Sequence, residues 1–332
     1  MNEEILLSII VPCYNVPLPQ LRQCLDSLEF LDKVVTHEVW IIDDGSTKDE
    51  VVAYIESRHN PHLHALRQEN MGCGGARNTG IEHSRGEYVT FVDADDFIYY
   101  GPYIELLKIL REKQPDILAQ GYSMRYEGAA TNFMMNYDIH PSACSYFIHR
   151  SLLTKLRFTP HIYHEDEEFS TKLHLLRAHL ITVPFSAYFY RYESTSITHN
   201  TERTHVLKRF EDFRTILHGL QSLDVPSPHD LALQRRLDIM AMCYILTLLR
   251  DSASRADTLF ALKKLAELRL YPLPLRWRGL RYAAVALTTR IPTVAHLLSP
   301  LVKLLFKIQD ASAEKRAFAA HAYLVNADEP EV

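Results

Sequence analysis

"EYVTFVDADDFIYYG", residues 87–101, sets an apolar run, Tyr88 to Val92, directly before three carboxylates, Asp93, Asp95 and Asp96. The run suits a strand buried on both faces, which puts the acids at its carboxyl end. Carboxylates at i and i+2 in a loop can turn toward a common point, whereas a helix would need i and i+4. Such oxygen pairs suit hard divalent ions, Mn²⁺ or Mg²⁺, held by one or two carboxylates with room left for substrate phosphates. The same residues also suit a surface turn, with Asp96 capping the next helix.

Upstream, the pattern of strand followed by polar loop recurs. Ile5 to Val11 is a near-continuous apolar run stopped by Pro12, and Glu38 to Ile42 is a second run closed by Asp43-Asp44-Gly45-Ser46. Helical spacing marks Leu18 to Phe30, through Leu21, Leu25 and Leu28, and about Lys48 to Ser57. A third short strand is expected over His62 to Leu66, with a helix from Gly75 to His83 before Tyr88. This alternation predicts an α/β, doubly wound parallel sheet, whose ligands bind beyond the carboxyl ends of the strands. Downstream, a helix is expected over Pro102 to Glu112, a strand over Asp116 to Gln120, irregular chain over Gly121 to Asp138, a helix over Phe169 to Ala178 and a strand over Ala187 to Tyr192. Long helical patterns then take over, clearest in His205 to Leu220 and Leu231 to Arg250.

Composition narrows the class. A chain of 332 residues with 47% hydrophobic content can bury one large core and an appendage, and its charged fraction of 23% is ordinary for a globular protein. A net charge of −5 argues against nucleic acid as a partner. Five cysteines, odd in number and never in a C-x-x-C pair, signal neither a disulfide framework nor a zinc site and fit a reducing compartment. No basic n-region opens the chain and no stretch of 18 residues is uniformly apolar, so the expected localisation is cytoplasmic.

Between the acidic loops lies "QENMGCGGARNTGIEHSRGEY", residues 68–88. Gly72, Gly74 and Gly75 permit tight turns and close backbone approach to an anion, and Arg77 adds a bidentate phosphate donor in the first helical turn. Neither a Walker loop nor a G-x-G-x-x-G fingerprint is present. The ordered set "SIIVPCYN", "EVWIIDDGSTKDE", "ENMGCGGARNTGIEHSRGEYVTFVDADD" and "HEDEEFSTKLHLL" resembles the family 2 glycosyltransferases of the GT-A fold over roughly residues 5–200.

The resemblance implies an inverting transfer of a sugar from a nucleotide-diphosphate donor, usually a UDP-sugar, to a hydroxyl of a glycan or lipid-linked acceptor. Under it, Pro12, Tyr14 and the pair Asp43 and Asp44 hold the nucleoside, with one of the two aspartates accepting from the base. Asn70, Gly72 and Arg77 lie along the ribose and diphosphate, and Asp93, Ala94 and Asp95 form the D-x-D segment that meets donor and metal. His199 is a candidate third metal ligand. In "YHEDEEF", Asp166 takes the acceptor proton and Glu165 orients the acceptor or positions Asp166. Read without the resemblance, that stretch is an acidic helix start favoured by the macrodipole. The implied layout is a GT-A domain over 1–205, with a donor half to about residue 100 and an acceptor half beyond it, then a helical region over 206–332.

Two other functions compete. A nucleotidyltransferase usually places a Gly-rich Lys/Arg signature after its first strand, where this chain has Pro-Cys-Tyr-Asn. A non-catalytic nucleotide-sugar scaffold has no chemical need for Asp166. The last third adds a charge asymmetry: Leu268 to Gln309 carries seven Arg or Lys and no Asp or Glu. Basic residues interleaved with Leu, Val, Trp277 and Tyr282 suit peripheral contact with an anionic membrane through about 269–307, and equally a packed helical domain with Arg stems on its surface.

Overall fold

The computed structural model describes residues 4–121, 141–176, 178–191, 202–224, 229–251, 254–273 and short stretches between 285 and 304. These fall into two compact units that separate between Arg191 and Glu202.

The first unit is built on a seven-stranded sheet. Strands β1 (Leu7–Cys13), β2 (His37–Asp43), β3 (Leu63–Arg67) and β4 (Tyr88–Phe91) run parallel in the order β3-β2-β1-β4. Every residue of β1 is buried, as its unbroken apolar run requires of a central strand covered on both faces. Pro12 does not end β1, which continues to Cys13. β4 pairs only as far as Ile10, so the absent Pro12 N–H breaks no ladder on that side.

Beyond β4 the sheet departs from the all-parallel expectation. β5 (Phe97–Ile98) leaves it, β6 (Ile117–Ala119) and β8 (Leu180–Thr182) are parallel to each other, and β7 (Tyr146–His149) is wedged antiparallel between β4 and β6. β9 (Tyr188–Phe189) pairs with β5 as a separate two-stranded sheet.

Helices α1 (Leu18–Asp26), α2 (Asp49–Ser57), α3 (Gly72–His83), α4 (Tyr100–Lys113) and α5 (Glu165–Leu175) complete this unit. α1 opens on Pro17 and Pro19, whose missing N–H groups fall in the first turn, where no intrahelical partner is needed. α4 stops at Gln114, in the left-handed region with φ +43°, immediately before Pro115. The polar stretch 122–140 lies outside the described residues.

The second unit holds α6 (Arg203–Gln221), α7 (His229–Asp251) and α8 (Arg255–Glu267), packed around Phe213, Leu217, Leu220, Met240, Ile245, Leu249 and Leu262. Ser254 caps α8 by accepting from the Asp257 N–H at 3.0 Å. No helix among the described residues is long and apolar enough to cross a membrane.

Candidate active site

The carboxyl ends of β1, β2 and β4 converge, and the loops there are tied to one another. After β1, Asn15 adopts the left-handed conformation, φ +51°, which Asn tolerates better than most residues. Its side-chain oxygen accepts from the N–H groups of Thr47 at 2.8 Å and Lys48 at 3.3 Å. Asp43 commits both carboxylate oxygens internally, Oδ1 to the Ser46 N–H at 2.9 Å and Oδ2 to Arg67 at 2.9 Å. Asp44 receives the Gln68 amide at 2.7 Å and the Met71 N–H at 2.8 Å, both on Oδ1. Burial pushes its carboxyl up from the ordinary value. Tyr14 stands 50% exposed beside this loop, whereas Pro12 is buried in the strand.

The glycine-rich segment does something other than expected. α3 begins at Gly72, three residues before the expected start, and Gly72 needs φ +75° to make the turn. A Cβ on Gly74 would meet the Thr159 carbonyl at 2.9 Å and Glu165 Cγ at 3.1 Å, so this glycine admits the chain that carries α5. Asn70, expected along the ribose, donates to the Asp44 carbonyl at 3.0 Å. Cys73 is exposed.

Arg77 has different partners from those expected of a diphosphate donor. Its side chain is 5% exposed; Nη1 donates to Glu165 Oε1 at 2.6 Å and Nη2 to Asp93 Oδ1 at 2.8 Å. The guanidinium lies over the rings of Phe158, 5.3 Å from the centroid, and Phe91, at 5.9 Å. One buried cation thus clamps the acidic loop after β4 to the first residue of α5.

Asp96 does not cap α4. It is buried, accepting the Tyr188 hydroxyl on Oδ2 at 2.6 Å and the Arg191 N–H on Oδ1 at 2.7 Å. Tyr188 O accepts in turn from the Asp93 N–H at 3.1 Å, and Arg191 Nε donates to the Asp95 carbonyl at 2.8 Å. Ala94 is packed into the core. Burial, then the charges of Asp95 and Asp93, push the Asp96 carboxyl well above the usual carboxylate range. Tyr188 and Arg191 are thus positioning residues of the acidic loop, brought there by the two-residue pairing of β9 with β5.

α5 starts at Glu165, so all four acids of "EDEE" occupy its first turn, favoured by the helix dipole. His164, at φ +63°, reverses the chain into it. Glu168 is consumed structurally, by Lys172 at 2.6 Å and the Thr159 hydroxyl at 2.6 Å. Asp166 is half-buried, and its Oδ1 accepts from the Glu167 N–H at 2.9 Å. Desolvation, then Glu165 and Glu167, push its carboxyl well above the usual range.

Asp93, Asp95, Asp96, Glu165 and Asp166 thus cluster around Arg77, and neighbouring acids help burial push the carboxyls of Asp96 and Asp166 up. That excess of negative charge fits a divalent cation held through Asp93 and Asp95. Among the described residues no three His, Cys, Asp or Glu groups gather as a metal cage, so the remaining ligands would be donor phosphates and water. His199 lies outside the described residues.

A mixed α/β sheet with acidic loops at its carboxyl edge and trailing helices defines a GT-A-like transferase fold. S. aureus TarS, in a crystal structure of residues 1–349 with UDP-GlcNAc, superposes with a TM-score of 0.62 at 18% identity over 92% of each chain. Mannosyltransferase PcManGT from Pyrobaculum calidifontis, in complex with GDP-Man and Mn²⁺, gives 0.55 at 17% identity over 99% of this chain and 89% of that one. The model of glycosyl transferase family 2 matches residues 8–174, and the chain belongs to that family. Among curated relatives, the uncharacterized glycosyltransferase YibD of Escherichia coli (strain K12) is 40% identical over 118 residues, 35% of this chain and 34% of YibD. Glycosyltransferase GlyA of Streptococcus pneumoniae is 30% identical over 220 residues, 58% of this chain and 31% of GlyA. The matches span about a third of the length of these relatives.

Proposed function

We propose that the protein transfers a sugar from a nucleotide-diphosphate donor, a UDP-sugar, to a hydroxyl of a glycan or lipid-linked acceptor with inversion at the anomeric carbon. The observation that carries this reading is the Arg77 clamp: it joins the D-x-D carboxylate Asp93 to Glu165, the neighbour of Asp166. A donor-holding acid and a base are thereby fixed to one rigid group.

Tyr14 offers an exposed ring for the base to stack on. Asp43 has spent both oxygens, one of them in an ion pair with Arg67, so Asp44 is the aspartate that accepts from the base. A bound Mn²⁺ or Mg²⁺ at Asp93 and Asp95 supplies neutralisation of charge on the departing diphosphate. Asp166 accepts the acceptor's hydroxyl proton as that oxygen bonds the anomeric carbon. The bond to the diphosphate oxygen breaks on the opposite face, and its electron pair leaves with the nucleotide. The upward-shifted carboxyl of Asp166 makes it a stronger base than an ordinary aspartate.

The deciding test is a thermal-shift panel of UDP, GDP, CMP and dTDP sugars with Mn²⁺, Mg²⁺ or EDTA, on the wild type and Asp95→Ala. A ligand at 100 times its Kd stabilises by about 2.7 kcal/mol, so one nucleotide should give a metal-dependent shift that Asp95→Ala loses. No shift with any of them leaves the acids as turn residues.

The acceptor end has its own support. Within the stretch that carries only positive charges, Leu287, Ile291, Leu297, Leu301 and Leu304 are each more than half exposed. Apolar side chains among basic ones suit the interface of an anionic bilayer, where the enzyme would meet a lipid-linked acceptor. Flotation with anionic but not neutral vesicles, lost in Leu297→Ser/Leu301→Ser, is the expected result; equal flotation of both proteins would reject it.

A further inference from the structure

Backbone strain is concentrated at one edge of the sheet. Among the described residues, Asn15, Gly45, Gly72, His161 and His164 adopt positive φ in the loops around the site. The two others that do so, Gln114 and Arg269, close α4 and α8, where a left-handed residue is an ordinary way to end a helix. Asn and Gly tolerate that conformation, and His164 makes the turn into α5.

His161, at φ +61°, is a different case. The fold uses its backbone: the N–H donates to the Met71 carbonyl at 2.9 Å, and the nitrogen lies 3.3 Å from where a Cβ on Gly72 would stand. A glycine would serve both contacts without strain. The imidazole itself is exposed, so burial of the ring does not offset the cost of holding a side chain in this region. Side chains kept on strained backbone beside a ligand site point to a role toward the ligand.

The surroundings say which part of the ligand. Met71, which His161 holds, donates its own N–H to Asp44 Oδ1 at 2.8 Å. Burial pushes the Asp44 carboxyl up, while the donors Met71, Gln68 and Gly72 and then the charge of His161 act the other way, so the imidazole stands within electrostatic reach of that carboxylate. Asp44 offers acceptor oxygens alone, whereas a nucleoside presents carbonyl and hydroxyl oxygens as well as N–H groups. The side-chain amides of Gln68 and Asn70 are turned onto Asp44 itself.

We propose that His161 is a donor-binding residue, whose imidazole N–H donates to an oxygen of the nucleotide held at Asp44. The assignment rests on the nucleotide-sugar reading above and deepens it.

Titration calorimetry of the full chain with UDP, GDP, CMP and dTDP, each with Mn²⁺, tests it beside melting curves taken without nucleotide. These nucleotides carry neither sugar nor acceptor, so a loss of affinity places the contact on the nucleotide. In His161→Gly the Kd of the nucleotide that the wild type binds most tightly should rise about three- to tenfold, the loss of one hydrogen bond. His161→Asn, which keeps a residue tolerant of the left-handed region and is too short to replace the imidazole, should show the same loss. The nucleotide-free melting temperature should not fall in either variant, because the backbone bond to Met71 survives in both. A Kd changed by less than about twofold in both variants would overturn the role of His161 and leave the donor reading standing. Melting temperatures lowered in both would make the imidazole part of the fold and overturn it too. No binding of any of the four nucleotides to the wild type would overturn the donor reading and this assignment with it.

Discussion

Replacing Arg77 by Met keeps most of the side chain's length but removes the one cation between Asp93 and Glu165. The pair Arg77–Glu165 has side-chain exposures of 5% and 10%, so Glu165 cannot recover hydration when the guanidinium goes. Asp93, at 32%, can do so in part. Removing one partner of a buried pair costs about 3–5 kcal/mol, and the exposure of Asp93 puts the expected loss at the lower end. At roughly 2–4 °C per kcal/mol for a unit of this size, a loss of about 3 kcal/mol should lower the melting temperature by about 6–12 °C. The pH dependence gives a sharper reading. In Arg77→Met, Glu165 is a buried carboxyl without a counter-ion, so its folded pKa rises above its unfolded one, and the native state binds the extra proton. Its contribution to stability is then lost as pH rises through that window, and the deficit relative to wild type should be larger at pH 7.5 than at pH 4.5. Urea denaturation at both pH values measures it, and Glu165→Gln in the Arg77→Met background should recover part of the loss. A loss below about 1 kcal/mol, equal at both pH values, would refute the clamp. Arg77 would then be free for the diphosphate.

Three further outcomes follow from the same geometry. Asp166→Asn should abolish transfer while leaving the nucleotide-dependent thermal shift intact, and the wild-type kcat/KM should rise with pH through a pKa above the ordinary aspartate value of about 3.9, read from a pH–rate profile. Tyr188→Phe removes the hydroxyl that Asp96 accepts and that Asp93 N–H donates to; a loss of about 1–3 kcal/mol in urea, with a raised donor KM at unchanged fold, is expected. Gly74→Ala places a methyl 2.9 Å from the Thr159 carbonyl and 3.1 Å from Glu165 Cγ, which should cost about 1–3 kcal/mol and lower kcat by displacing α5, whereas donor affinity should change little.

Much of the scaffold was legible in one dimension. Apolar runs of strand length ending in Pro12, Asp43 and Asp93 located β1, β2 and β4 to within two residues at each end, because a strand covered on both faces is mostly apolar, with Ser8, Glu38 and Thr90 as its buried polar exceptions. The motif acids sit where those runs end. The antiparallel β7 and the two-residue β5 left no periodic trace, since two to four residues are too few to show alternation, whereas β9 falls inside the strand expected over Ala187 to Tyr192.

Sequence by itself determined which residue types stand at the strand ends, and so the class of chemistry and the family. Only the tertiary structure decided which of those residues hold the site and which are left to meet a ligand. Arg77, Asp96, Asn70 and Gly74 read in sequence as ligand contacts or turn residues, yet each is spent on the protein itself. Arg77 and Glu165 are 88 positions apart, and Tyr188 and Asp96 are 92 apart. Partners at such separations meet only when the sheet closes, and a buried charge is stable only with its partner in place, so their roles follow from packing rather than from local pattern.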